Sequence, residues 1–368
     1  MRYDSVCNKI KQIIASANDF LNHQKSVVSP GYYNYSYSCD LYSDDIHWNV
    51  GSSVYALKIM YTLGYKRDNQ DVINACYYID SFMHKNRMIY DDMIKKKAGL
   101  RNFLSCIKHR QFGNLMGQEY IRAESRQCYS AELSFDRIPK SNGQFNMPSR
   151  PKEIEYFLER LNWDFPWGAG SHFSHLLFFQ KVMLKIGQLT VMEYEANVSH
   201  AIEWIARLQN PIDGAWYRGK PEARQIINGA MKVISGLRTV DRCSFDYSKE
   251  LIDFCLNEVN SGHACDNFDI IYTLYYANIV SPFYREKEIQ DFAEKRFWIF
   301  MEHYKENEGG FSFYPNHCNK NYYGTNITKG KNESDIHATA LFMWGITLIA
   351  NLLEINNTDG IYLREVIT

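Results

Sequence analysis

His172 and His175 stand three residues apart, the spacing that puts two side chains on one face of a helix. Imidazole changes charge near neutral pH, so such a pair can carry protons. Similar polar sets recur along the chain: Asp44, Asp45 and His47; Glu124 and Arg126; Arg224 and Asn228; His263, Cys265, Asp266 and Asp269; Asp335 and His337. Each stands at the start of a segment with helical periodicity, and helix N-termini favour anions. Arginines, imidazoles and carboxylates gathered there can bind a charged small molecule and move its protons. Asp44, Asp266, Ser334 and Asp335 also occupy N-cap positions, a second use for each. Histidine is a poor cap, which keeps chemistry open for His47, His172, His175 and His337. The candidate catalytic residues are therefore His337, Asp335, His172, His175 and Asp45, with His337 and Asp335 foremost. Arg224, Arg126, Asn228, Trp167, His47 and Asp269 are the candidates for holding substrate. Trp167 lies in WDFPWGAGSHFSH, where a tryptophan can stack on a sugar ring, enclose a cation or simply pack a loop.

The elements that must position these groups are helices. Strand signals are scarce, and segments of period 3.6 are separated by Gly, Pro and Asn clusters. Six helices share small residues early and bulky apolar residues after: those from Asn49, at 123–135, from Trp167, at 221–233, from Cys265 and from Ser334. Two of them align directly through Glu-x-Arg-Gln, in AESRQCYSAELSF and PEARQIINGAMKV. Each follows a more amphipathic helix and a glycine-containing loop. A helix apolar all round is buried on most sides, whereas an amphipathic one covers it from outside. Six such hairpins predict an all-α fold, an (α/α)6 barrel or toroid, in a single domain over 1–368, with an irregular α-bundle or superhelix as the alternative.

One turn is more specific. In LQNPIDGAW, Gln209 ends a helix and Gly214 and Trp216 shape the turn after it. An amide side chain can satisfy both kinds of orphan backbone group at a helix end, and glycine tolerates positive φ. These residues read as structural stitching. The motif resembles the repeat signature of the terpenoid cyclase and protein prenyltransferase superfamily. ENEGGFSFYPN and the following SDIHATALFMWGITLI resemble the Gly-Gly-Phe turn and inner helix of prenyltransferase subunits. The resemblance spans about 160–355 by motif, and it implies the toroid more strongly than any reaction. Class II cyclases use Asp-x-Asp-Asp and class I enzymes Asp-Asp-x-x-Asp for magnesium diphosphate; DLYSDDIH and DDMIK match neither. Prenyltransferases hold zinc through Asp-x-Cys and a later histidine. Here His263, Cys265 and His337 occupy comparable places, so the resemblance implies at most a divalent metal, zinc or magnesium, with those ligands.

Bulk properties exclude other classes. A net charge of −1 provides no field for nucleic acid or an anionic membrane. Hydrophobic residues make up 45% and charged residues 23%, values of an ordinary globular protein. No run approaches the ~20 apolar residues of a membrane span. Nine cysteines without a C-x-x-C pair suit reduced thiols, so a cytoplasmic location is expected. The reading is thus an enzyme resembling terpenoid cyclases or prenyltransferases, acting by acid–base chemistry on an isoprenoid or other anionic small molecule in an aromatic-lined cavity. A carbohydrate-active barrel (polysaccharide lyase or glycoside hydrolase) and a non-catalytic binding toroid are the alternatives.

Overall fold

The computed structural model describes residues 3–43, 45–108, 118–358 and 360–367. Helices dominate, and the fold is all-α apart from two very small hairpins. The chain groups into two compact units, Met1–Asn142 with Phe297–Ile367, and Gly143–Arg296.

The first unit opens with α1 (Asp4–Gln24), α2 (Val50–Thr62), α3 (Gln70–Asp80), α4 (Asp92–Lys108) and α5 (Gln118–Leu133). The second holds α6 (Pro151–Glu159), α7 (Pro166–Lys185), α8 (Val191–Ala206), α9 (Ala223–Thr239), α10 (Ser248–Asn257) and α11 (Ala264–Val280). Helix α12 (Glu286–Met301) begins in the second unit and ends in the first. The first unit then closes with β1 (Tyr304–Lys305), β2 (Gly310–Phe311), β3 (Asn321–Tyr322), β4 (Thr325–Asn326) and α13 (Ile336–Leu352). Strands β1–β2 and β3–β4 are antiparallel pairs.

The six segments read as apolar all round form α2, α5, α7, α9, α11 and α13, and each is buried on most of its sides. In the first unit α2 packs against α5 and α13; in the second, α9 packs against α7 and α11. The amphipathic partners bury one stripe only. Helix α1 buries Val6, Ile10, Ile13, Ala17, Phe20 and Leu21, the spacing of a single helical face. Helix starts are capped as their sequences direct. Thr190 and Glu193 form a reciprocal capping box on α8, and Asn69 accepts from Asp71 N on α3. Helix α3 is an addition to the predicted hairpins, and the stretch predicted at 99–110 falls largely in α4.

The LQNPIDGAW turn is a brace inside the second unit. Gln209 Nε2 donates to Gly214 O at 2.7 Å and also to Asp246 O, tying the end of α8 to the loop before α10. Trp216 is 1% exposed and packs edge-on against Phe245, with ring centroids 5.2 Å apart. Gly214 has φ +71° and lies so close to Tyr247 that no side chain fits. The described cysteines are free thiols, and no helix among the described residues is long and apolar enough to cross a membrane.

Candidate functional site

In the first unit, the sequence-predicted His337 sits at the start of α13 inside a ring of aromatic side chains. Tyr55 stacks on it at 4.2 Å, and Phe313, Tyr35 and Tyr322 surround it at 5.2, 6.3 and 6.4 Å between centroids. Asn319 Nδ2 donates to Tyr35 Oη at 3.1 Å, and Tyr35 Oη lies 3.0 Å from His337 Nδ1. The Tyr35 hydroxyl thus links Asn319 to the His337 ring. Asp335, its neighbour, is fully buried and does different work. Its carboxylate accepts from Ala338 N at 2.8 Å, Phe313 N at 2.9 Å and Asn319 N at 3.0 Å. Burial pushes this carboxyl up to about 7 against those three N–H groups. With both oxygens engaged by backbone, Asp335 caps α13 and braces two loops.

The neighbouring acid is Glu124 on α5, fully buried. Tyr322 Oη donates to its Oε2 at 2.6 Å, and Oε1 has no hydrogen-bond partner. Burial pushes the Glu124 carboxyl up to about 8, Asp91 adds to this, and the Tyr322 hydrogen bond and Lys58 oppose it. Desolvation wins because the single phenol bond replaces little of a carboxylate's hydration. At neutral pH Glu124 is therefore a neutral acid. Since Tyr322 occupies Oε2, the acid proton resides on Oε1.

Tyr322 arrives from the β3–β4 hairpin, whose two-residue tip is Tyr323-Gly324 with φ +46° and +83°. Positive φ at both tip positions matches the twist of a tight hairpin, although a tyrosine is strained there. Gly51 on α2 makes room for the phenol: a Cβ there would lie 2.3 Å from Tyr322 Oη. Tyr323 packs on Tyr120 at 4.8 Å. Arg126 is buried on α5. Tyr322, Tyr35 and Tyr55 were outside the sequence-predicted set. The Tyr-Gly pair between Asn321 and Thr325 is the hairpin signal that could have located the first of them.

Asp45 is exposed on the turn before α2, and Asp44 lies outside the described residues. His47 is 2.7 Å from Ser81 Oγ and stacks on Phe82 at 3.8 Å. It lines a cleft of about 560 Å³ that also includes His84, Tyr90, Asp91, Lys96 and Lys97.

In the second unit the starts of α7, α9 and α11 bring together Trp167, Arg224, Asn228, His263 and Asp266. Arg224 Nε donates to Asp266 Oδ1 at 2.9 Å, its Nη2 lies 2.6 Å from His263 Nε2, and the guanidinium lies over the Trp167 ring at 5.4 Å. Asn228 Nδ2 donates to the same Asp266 oxygen at 2.8 Å. Burial holds His263 below the usual imidazole range; Asp266 opposes this and Arg224 reinforces it. One turn further along α11, Asp269 is buried with Oδ2 unpartnered, and burial pushes it up to about 7 against the attraction of Lys232. On α7, His175 is buried and His172 half-buried, their rings edge-on at 6.1 Å, with His172 also against Phe157 of α6.

Of the expected metal ligands, His263 caps α11 and meets Arg224, burial pushes the Cys265 thiol far above its ordinary range, and His337 stands in the aromatic cluster of the first unit. Among the described residues no group of three or more His, Cys, Asp or Glu side chains is arranged to hold a metal ion. No known protein family, curated protein or solved structure matches the chain.

Proposed function

We propose that the chain is an enzyme built on an (α/α)6 toroid. Its inner wall would be α2, α5, α7, α9, α11 and α13, and it would resemble terpenoid cyclases and prenyltransferases in acting on an isoprenoid or other anionic substrate by acid–base chemistry. The observation that carries this reading is Glu124: a buried carboxyl raised to about 8, with one oxygen unpartnered, beside a wall of tyrosines and His337. A weakly basic carbon accepts a proton only from an acid kept neutral and dry. The proton leaves Oε1 for the substrate, and the new carboxylate is held by Tyr322 Oη and by the nearby positive charge of Lys58. The faces of Tyr55, Tyr35 and Phe313 stabilise the developing cation, and His337 lies among them to take a proton at a later step. Glu124 thereby supplies the acid that the missing Asp-x-Asp-Asp motif does not.

Incubation with a panel of linear isoprenoids and their diphosphates, followed by mass analysis of products, tests this. The wild-type protein is expected to convert at least one compound. Glu124→Gln, which keeps an acceptor for Tyr322 but has no acid proton, should lower the rate by about 10²–10⁴-fold. Tyr322→Phe should lower it less and shift the pH–rate profile. No conversion, or equal conversion by Glu124→Gln, would count against the reading.

A further inference from the structure

The Arg224 cluster of the second unit is built like a receptor. Asp266 is 1% exposed at its side chain, whereas that of Arg224 is 45% exposed. The buried carboxylate therefore anchors a cation that faces water. Asp266 and His263 occupy the Nε and Nη2 positions, and Trp167 supports the guanidinium plane. Arg224 Nη2 can only donate, so His263 Nε2 faces it as acceptor, while Nδ1 lies 3.3 Å from Asp266 N and 3.5 Å from Asp266 Oδ2. Contacts at both ring nitrogens fix the orientation of the imidazole. Asp266 is itself held by Asn228, which in turn accepts from Asn260 Nδ2 at 3.0 Å. Gly262 leaves room for the carboxylate, since a Cβ there would lie 2.8 Å from Asp266 Oδ2. Asp266 and His263 take Nε and one N–H of Nη2, so the second N–H of Nη2 and those of Nη1 have no hydrogen-bond partner among the described residues.

We propose that this end of Arg224 is a binding site for the carboxylate group of a small acid, argued from the second unit alone and independent of the function proposed for Glu124. The planar fork of two N–H groups matches the two oxygens of a carboxylate. Charge favours a monoanion over a phosphate dianion. The exposed cation of Arg224 is offset by Asp266, and Arg296, which donates to Asn260 O behind the cluster, is itself buried. The side chain is held before the ligand arrives, so little ordering is left for binding to do.

The test follows the Arg224 Nε–H signal in spectra of the ¹⁵N-labelled full chain, assigned by its loss in Arg224→Lys. Sodium acetate, inorganic phosphate and sodium chloride are titrated at matched ionic strength. Acetate is expected to shift the signal saturably at millimolar concentration, chloride to leave it in place, and phosphate to bind no tighter than acetate. His263→Asn should weaken acetate by about three- to tenfold, because Nη2 loses the group that holds it. No acetate shift, a shift equal to that of chloride, or unaltered acetate affinity in a folded His263→Asn protein would overturn the proposal. Tighter binding of phosphate would overturn the assignment to carboxylates.

Discussion

Glu124→Gln is expected to become progressively more stable relative to the wild-type protein as pH rises. In the unfolded chain the carboxyl ionises near its ordinary 4.5, but in the fold it stays protonated up to about 8. Between those values the unfolded state binds fewer protons, so the wild-type protein loses stability with rising pH, at up to about 1.4 kcal/mol per unit from this group alone. The contribution is fully present below the unfolded value, falls through the window and levels off above the folded value. Over the window the total is of the order of a few kcal/mol. Glutamine has no such term, and its carbonyl can still accept from Tyr322. Urea unfolding of both proteins at about pH 5 and about pH 8 measures the effect, as a gap between them that widens in favour of Glu124→Gln. Unfolding curves that keep a constant separation across that range would show that Glu124 ionises normally in the fold.

The second large effect is expected at Gly214. Alanine there must adopt φ +71°, and its Cβ would lie 2.2 Å from Tyr247 O and 2.8 Å from Leu251 Cβ. The left-handed conformation alone costs a non-glycine residue roughly 1–2 kcal/mol. The backbone oxygen it strikes belongs to the start of α10, so relief requires moving the loop that also accepts from Gln209. A loss of about 3 kcal/mol or more follows, large among single substitutions. It should appear as a marked fall in the urea midpoint of the second unit, followed by the Trp216 environment. A midpoint within experimental error of the wild type would contradict the brace.

The brace was legible because its three residue types each answer a local backbone need, and a turn is a local object. The six buried helices were legible for a similar reason. Apolar residues on every face, as in α13 and α2, have no other place to go. Helix α3 carries an ordinary amphipathic pattern and did not stand out. Strands β3 and β4 are two residues each, too short for any alternation to register. At the sites, the sequence grouped Arg224, Asn228, His263 and Trp167 because all lie at helix starts, and α7, α9 and α11 do bring them together. The hydrogen bonds that Asp335 accepts from Phe313 and Asn319 were not legible, since they depend on loop paths that no spacing encodes. Glu124 was visible as a residue, but its acidity was not. That property comes from burial and from Tyr322, a residue 198 positions away in the chain.

The protonation state of Glu124 is read most directly by titrating its side-chain carboxyl carbon by ¹³C NMR, with the signal identified by its absence in Glu124→Gln. The carboxyl is expected to remain protonated at neutral pH and to titrate at about 8. A Glu124 carbon that is already ionised at neutral pH, titrating in the ordinary carboxylate range, would contradict this expectation.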